Sequence, residues 1–316
     1  MDVLVVVAPI FFLIAAGLVA ARFGYLSQTA QAGITEFSFK LAIPALLFRM
    51  IATGSAAPTD PARLWLAYFG AVAIVWLSAT VATSLLLRRP QIDAPTVAMT
   101  AVYGNVVMIG IPICFGLFGE AAATPMAIIL SVHSPLMWLA ATLHQQWSGR
   151  TGAQSASALL KELVLSLARN ALIVAILLGS LWRLLDIGLD PVADGILKLL
   201  GQAGIPCALV ALGMSLTRFR IAGQLPTLSA VLALKLAVMP AVAWVLAVWL
   251  LALPKVTAGV VLVFAAMPAG ANAYLFAERT GRVVNSTSGA IALGTLLSVG
   301  TITLLIASLG HLLPAD

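Results

Sequence analysis

Two short stretches of the chain place amide side chains beside helix-breaking residues inside otherwise apolar runs. They read YGNVVMIGIPICFG (103–116) and AAMPAGANAY (265–274). Proline lacks a backbone N–H and strains the preceding helical turn, and glycine weakens a helix further. Such breaks free backbone groups that need partners, and an asparagine amide can both donate and accept hydrogen bonds. The residues concerned are Gly104, Asn105, Gly110, Pro112, Pro268, Gly270 and Asn272.

These two breaks predict a binding site for an anion if the broken segments cross. The half-helices would then direct the positive ends of their dipoles into a shared cavity. Pro112 suits the first turn of a new half-helix, and Asn272 is expected to cap the second half of its helix. The alternative is a pair of proline kinks that serve packing alone. Two breaks that each carry an asparagine favour the binding site, and all seven residues are predicted to contact substrate.

Ionisable residues within apolar segments are further functional candidates. Lys235 could attract the anion, pair with a carboxylate, or extend its ammonium group towards the membrane surface. His133 is expected to be a satisfied packing residue, with proton coupling as the sharper alternative. Glu36 and Lys40 are four residues apart, which predicts an ion pair on one helix face.

Other chemistries find little support in the sequence. Asp93 falls at the start of a predicted span and Glu120 in a turn, so no span carries the paired carboxylates of a sodium or proton antiporter. The acidic residues Asp186, Asp190 and Asp194 are expected to form a solvated loop. Cys114 and Cys207 make neither a disulfide framework nor a metal site. No nucleophile elbow, nucleotide loop or metal-ligand spacing is present, which argues against an enzyme and predicts neither cofactor nor metal.

The composition indicates the medium in which these residues act. Of 316 residues, 62% are hydrophobic and only 9% are charged, against about 25% charged in soluble proteins. The mean hydropathy is +1.09. These values predict an all-α polytopic membrane protein. The first charge is Asp2, so the N-terminal segment is interpreted as a retained span and not as a signal peptide. The net charge of +6 is attributed to basic loops beside anionic lipid, with no nucleic-acid partner.

Ten transmembrane helices are predicted from apolar length. They cover 3–22, 33–53, 63–87, 94–118, 121–147, 160–183, 191–217, 225–251, 255–278 and 283–311. The domains predicted from them are a first five-helix repeat at 1–147, a cytoplasmic linker at 148–159 and a second repeat at 160–316.

The two halves resemble each other weakly. Proline-centred segments in spans two and seven, and Gly/Pro breaks in spans four and nine, occur in the same order. Interrupted spans at corresponding positions are typical of transporters. Because each half has an odd number of spans, the second would enter from the opposite side, which gives an inverted repeat.

Basic residues predict the orientation in the membrane. If both termini lie outside, most of them fall in cytoplasmic linkers, as positive charge prefers. The predicted cytoplasmic linkers hold Arg22, Arg88, Arg89, Arg150, Lys161, Arg218, Arg220, Arg279 and Arg282, and the outer ones hold Arg49, Arg63, Arg183, Lys198 and Lys255.

The segments GNVVMIGIPICFGLFGE and AAMPAGANAYLFAERTG resemble the two crossover segments of the auxin efflux carrier family, and FSFKLAIPALLF resembles its second helix. The family includes plant PIN-type carriers and bacterial permeases for malate or malonate. The resemblance implies ten helices, an inverted repeat, a scaffold with a transport subdomain, and elevator-like movement. It matches Asn105 to the first crossover, and Pro268, Gly270 and Asn272 to the second. The short linker between the halves favours a bacterial-type member.

The function expected from these features is secondary transport of small organic anions such as carboxylates across the bacterial inner membrane. A homodimer formed through the scaffold spans is an open expectation. The alternative within transport is a sodium-coupled organic anion symporter of the bile-acid type, which has a similar fold but needs more acidic or amide sodium ligands. A channel or ligand-sensing module would need a polar ring along a pore, which the sequence does not show.

Overall fold

The structure, a computed structural model, describes residues 3–54, 59–149 and 156–312. All regular structure in these ranges is helical, apart from one isolated antiparallel bridge between Gly104 and Ala269. Residues 150–155 of the predicted linker, including Arg150, lie outside the described residues. The helices are α1 (Val3–Arg22), α2 (Gln28–Phe37), α3 (Ile43–Thr53), α4 (Pro61–Leu85), α5 (Ala94–Val102), α6 (Ile111–Phe118), α7 (Ala123–Gly149), α8 (Ala156–Arg169), α9 (Ala171–Leu184), α10 (Pro191–Ser215), α11 (Leu225–Ala233), α12 (Met239–Trp244), α13 (Lys255–Ala266), α14 (Ala271–Thr280) and α15 (Val284–Leu312).

Six helical stretches in the described residues are long and apolar enough to cross a membrane, one of which contains the turn between α6 and α7. They are Val5–Arg22, Pro61–Leu85, Val106–Gly149, Pro191–Arg218, Leu225–Leu250 and Val284–Gly310. The other predicted spans, at 33–53, 94–118, 160–183 and 255–278, are built from shorter helices in series. The protein is therefore an integral membrane protein, whereas the count of ten spans and the inverted repeat stay predictions.

Proline has a regular local effect on three of these helices. In each case the residue just before the proline donates its N–H to the carbonyl five residues back, as Ile111 does to Val106. Proline cannot donate to the carbonyl four residues back, and its ring would clash there, so the preceding turn widens by one residue. The prolines are Pro44, Pro112 and Pro240, and the wide turns that precede them are Ser38–Ala42, Val106–Gly110 and Leu234–Val238.

The chain reverses direction between α6 and α7. Gly119 adopts a φ of +59°, a conformation that glycine accepts without strain. From there α7 runs parallel to α4. Trp65, near the start of α4, donates from Nε1 to the carbonyl of Ile128 at 2.8 Å, and Trp76, further along α4, donates to Nδ1 of His144 at 3.1 Å.

Apart from α8, which contacts both α7 and α9, the helices pack into two groups. The first group contains α1, α2, α3, α9 and α10, and the second contains α4–α7 and α11–α15. Backbones approach closely in the first group. A Cβ added at Gly17 of α1 would lie only 2.1 Å from the carbonyl oxygen of Val210 in α10. A Cβ at Gly213 of α10 would lie 1.9 Å from the carbonyl oxygen of Ile14. Helices in a membrane associate mainly through van der Waals packing, because no hydrophobic effect drives them together. Small residues strengthen this packing by letting the backbones approach closely.

Candidate functional site

The two predicted breaks cross each other in the structure. The chain leaves helical geometry after Val102 and after Ala266, and the two extended segments pair as a short antiparallel bridge. Asn105 donates its backbone N–H to the carbonyl of Pro268 at 2.7 Å, and Gly270 donates to the carbonyl of Tyr103 at 2.9 Å. Each break therefore supplies partners for backbone groups that the other break frees. This pairing explains how both survive in an apolar environment, where an unsatisfied amide costs several kcal/mol.

Glycine permits a close approach on both sides of the crossing. A Cβ added at Gly104 would lie 3.3 Å from the Lys235 ammonium and 3.3 Å from the carbonyl oxygen of Phe264. One added at Gly270 would lie 3.2 Å from both the carbonyl oxygen of Gly104 and the ring of Tyr103. Side chains at these two positions would force the broken segments apart.

The two asparagines at the breaks differ in their bonding. Asn105 is the N-cap of the helical stretch that begins at Val106, and its Oδ1 accepts from the N–H of Met108 at 3.4 Å. Asn272 does not cap α14, so that prediction is wrong. Gly270 is the N-cap, and Asn272 lies inside the first turn. Its Nδ2 donates to the hydroxyl of Tyr103 at 2.5 Å, because α14 starts too early for its side chain to reach back to free N–H groups.

A cavity of about 270 Å³ opens beside the crossing. Three helical N-termini border it, namely the stretch after Asn105, α14 after Gly270, and α9 after Asn170. None of the described residues that line it is charged. They are Phe39, Tyr103, Gly104, Asn105, Val106, Val107, Met108, Ser134, Asn170, Leu172, Gly270, Ala271 and Asn272.

Three of the predicted site residues do not line this cavity. Gly110 packs on the ring of Phe264, because a Cβ there would lie 3.1 Å from that ring. Pro112 lines a different, apolar cavity of about 440 Å³ between α1, α6 and α10. Pro268 belongs to the bridge between the two breaks, where its backbone carbonyl accepts from the N–H of Asn105. Pro112 lies in the first turn of α6, as predicted, although the helical stretch that leads into α6 already begins at Val106.

Lys235 lies beneath the crossing, with only 1% of its surface exposed. Its ammonium donates to the carbonyl of Ala265 at 2.9 Å and contacts the sulfur of Met239 at 3.0 Å. The carbonyl belongs to the last turn of α13, where the negative end of a helix dipole favours a cation. Of the three expectations for Lys235, extension to the membrane surface and pairing with a carboxylate are therefore wrong for the described residues.

His133 is buried behind the cavity wall. Its ring lies 4.9 Å from that of Tyr103 and 5.7 Å from that of Tyr68, centroid to centroid. Neither ring nitrogen has a hydrogen-bond partner among the described residues. The expectation of a packing residue is met, but the expectation that its polar atoms are satisfied is not.

Two ionic clusters outside the cavity were missed by the sequence reasoning. Asp93 is buried at the start of α5 and binds Arg89 at 2.9 Å and Arg282 at 2.6 Å. The sequence placed Arg282 only in a predicted cytoplasmic linker. The spacing of Arg89 and Asp93, four residues apart, was an available signal, whereas Arg282 becomes a partner only through tertiary packing.

At the opposite end of the molecule, Arg49 of α3 binds Asp194 of α10 at 2.7 Å and Glu120 at 3.4 Å. Asp190 caps α10 by accepting from two backbone N–H groups. The expected solvated acidic residues are found at Asp186 and Asp190, which are exposed, whereas the expectation is wrong for Asp194, which lies in α10 and pairs with Arg49. The contact with Glu120 joins the first group of helices to the turn that follows α6. By contrast, the predicted pair of Lys40 and Glu36 is present on an exposed face.

A search against protein families supplies the identification. A family model described as "Membrane transport protein" matches residues 2–306. The chain belongs to this membrane transport protein family. The resemblance to the auxin efflux carriers is thereby confirmed, and the protein is a membrane transporter. Membership in this family implies a small-molecule substrate.

One similar family member has a more specific name. It is the "Putative malonate transporter" of Rhizobium meliloti (strain 1021), which is 26% identical over 313 residues, covering 98% of this chain and 97% of that protein. The match extends over both helix breaks, so this transporter and its relative are aligned across the whole region that forms the cavity.

Proposed function

We propose that the protein is a secondary transporter for small organic anions such as carboxylates, which bind in the cavity beside the crossing. The observation that carries the proposal is the convergence of three helical N-termini on a cavity whose described lining residues are uncharged. Each N-terminus is equivalent to about half a positive charge, which attracts an anion without needing a basic side chain.

The chemistry of the lining supports a small carboxylate. Asparagine amides and the hydroxyl of Ser134 supply directional hydrogen bonds, while Val106, Val107 and Leu172 supply apolar walls. A volume of about 270 Å³ is below the range of about 300–1,000 Å³ typical of drug-sized ligands. The name of the similar Rhizobium protein, a malonate transporter, agrees with an anion of this size and charge.

The packing supports an elevator mechanism. The crossing belongs wholly to the second group of helices, whereas Phe39, Asn170 and Leu172 face the cavity from the first group. Substrate held at the crossing would move with the second group past the first, which would act as scaffold and offer a homodimer face.

A sodium-coupled symporter of the bile-acid type is less well supported. A coupling cation would be expected at carbonyl oxygens freed by the helix breaks. The Lys235 ammonium already binds such a carbonyl, that of Ala265. When the Lys235 amine is protonated, its positive charge raises the energy of a second cation nearby. We therefore propose transport without a bound sodium ion.

Reconstituted counterflow tests this function. Purified protein in liposomes preloaded with unlabelled malonate should accumulate external labelled malonate, with saturation, and equally in sodium and in choline buffer. Asn105→Ala should lose most of this exchange. Non-saturable flux would indicate a channel, and a strict requirement for sodium would support the symporter instead.

The proposed location is the bacterial inner membrane with both termini outside. An alkaline phosphatase fused to the C-terminus should then be active, and one fused within 148–159 inactive. The reverse pattern would overturn this orientation.

A further inference from the structure

Asn170 lines the same cavity as the crossing, but it comes from the other group of helices. It belongs to the first group of helices, at the start of α9, whereas Asn105 and Asn272 belong to the second. The sequence reasoning did not select it, although an asparagine directly before an apolar run is a typical N-cap signal. Its side chain is partly buried.

The two ends of this amide have different surroundings. The oxygen, Oδ1, accepts from the backbone N–H of Leu172 at 3.0 Å and of Ile173 at 3.4 Å. The nitrogen, Nδ2, carries two N–H donors and has no hydrogen-bond partner among the described residues. The cap therefore fixes the orientation of the amide, and Asn170 lines the cavity without its Nδ2 donors bonding to any described residue.

A comparison with other caps in the chain suggests why this residue is asparagine. Asp60 at α4 and Asp190 at α10 bind their helices in the same way, each with one oxygen accepting from two backbone N–H groups. Aspartate and asparagine cap helices about equally well, and aspartate gains further from the helix dipole. Capping of α9 alone would thus be at least as strong with aspartate at position 170. A neutral amide there avoids a negative charge beside the cavity and adds donors.

We infer that Asn170 is a specificity-determining residue, which donates from Nδ2 to an acceptor group at the end of the substrate remote from the crossing. The crossing holds one carboxylate, and Asn170 selects anions that carry a second acceptor group over simple monocarboxylates. This inference rests on the proposed function, because it assumes that the cavity is the transport site. It adds a contact from the first group of helices to those from the second.

The test compares malonate with propionate, which has the same chain length but lacks the second carboxylate. Asn170→Ser and Asn170→Asp both keep an oxygen that can cap α9, so the fold should persist, as thermal unfolding in detergent would verify. A lost hydrogen bond to a charged group corresponds to about a ten- to hundredfold loss of affinity. Asn170→Ser should lose that much for malonate and less than about threefold for propionate. Asn170→Asp should lose more for malonate, because it adds a like charge.

Two controls separate the inference from the function on which it rests. Asp190→Asn exchanges the same two residue types in the same kind of cap, outside the cavity, and should leave both affinities unchanged. Asn105→Ala should weaken both anions together. If Asn170→Ser leaves malonate affinity unchanged, or weakens both anions equally, while Asn105→Ala weakens both, the inference is wrong and the proposed function stands. If Asn105→Ala changes neither affinity, the proposed function fails and the inference fails with it.

Discussion

Asn105 and Asn272 each follow a helix break, yet their amides have different roles in the structure. The side-chain oxygen of Asn105 accepts a hydrogen bond of 3.4 Å from the N–H of Met108, and its amide nitrogen lies beside the cavity. The side-chain nitrogen of Asn272 donates to the hydroxyl of Tyr103, which is also hydrogen-bonded to the hydroxyl of Ser134. Tyr103 thus ties α14 to α7 across the crossing. Asn105 is the better candidate for direct contact with substrate, and Asn272 for holding the cavity wall in place.

We expect Asn105→Ala to weaken substrate binding by about ten- to a hundredfold, because a hydrogen bond to a charged group is lost. Asn105→Asp should weaken it further by adding a like charge, although it keeps the cap. Asn272→Ala should have a milder effect of the same sign. Substrate-dependent thermal stabilisation of the purified variants measures these changes.

Asn285 provides the control for this prediction. It lies near the start of α15, beside a different cavity, so Asn285→Ala should leave binding unchanged. If Asn105→Ala keeps wild-type affinity and transport, the crossing is only a packing feature and the site has been misplaced.

At the scale of elements, the sequence predicted the breaks better than it predicted their surroundings. Gly104, Pro112 and Pro268 act on the backbone within a turn of their own position, so their effects can be derived without knowing the fold. The crossing of the two breaks was predicted because both broken segments carry such helix-breaking residues. Asn170 and Asp93 could not be assigned in this way. Their partners come from distant helices, and only packing decides which N-cap faces a cavity and which carboxylate is buried.

Gly104→Ala should impair transport strongly. The added methyl would lie 3.3 Å from Met267 Cβ, the Phe264 carbonyl and the Lys235 ammonium, so the crossing must widen by a few tenths of an ångström. Bridge hydrogen bonds of 2.7 and 2.9 Å would lengthen as a result. Counterflow and thermal unfolding measure the two consequences. Gly300→Ala in α15 meets no atom within 4 Å and should be neutral or slightly stabilising. Equal behaviour of the two variants would contradict this account of the crossing.

Asp93→Asn should destabilise the fold. The side chain of Asp93 is only 2% exposed, and its loss of charge would leave Arg89 and Arg282 without their anion. Removing one partner from a fully buried pair costs about 3–5 kcal/mol, and the partial exposure of both arginines reduces our expectation to about 1–3 kcal/mol. The melting temperature in detergent should fall accordingly.

The exposed pair of Glu36 and Lys40 offers a matched comparison, because its side chains are 63% and 71% exposed. Glu36→Gln should not shift the melting temperature measurably. A shift as large as that of Asp93→Asn would mean that burial does not govern these ion pairs.

At the scale of the whole molecule, two polar features of the described residues lie where the two groups of helices meet. Arg49 to Glu120 joins them at one end, and the cavity separates them near the crossing. A carrier of elevator type needs such an interface, which can slide without exposing unsatisfied backbone groups. Ion networks lie within each group, around Asp93 in the second and between Arg49 and Asp194 in the first. They would hold each group together during the proposed movement.

Cross-linking α1 to α6 should therefore stop transport. A Cβ added at Gly116 of α6 would lie 3.0 Å from Cγ1 of Val6 in α1, so Val6→Cys with Gly116→Cys can form a disulfide whose Cβ atoms are about 3.5–4.5 Å apart. Cys114 and Cys207 would first be replaced by alanine. The control is Ala42→Cys with Gly204→Cys, whose Cβ atoms would lie 3.0 Å apart within the first group. Oxidation should abolish counterflow for the first pair, reductant should restore it, and the control pair should keep transporting. Full transport by a quantitatively cross-linked first pair would show that α1 and α6 move together, and the elevator proposal would then be wrong.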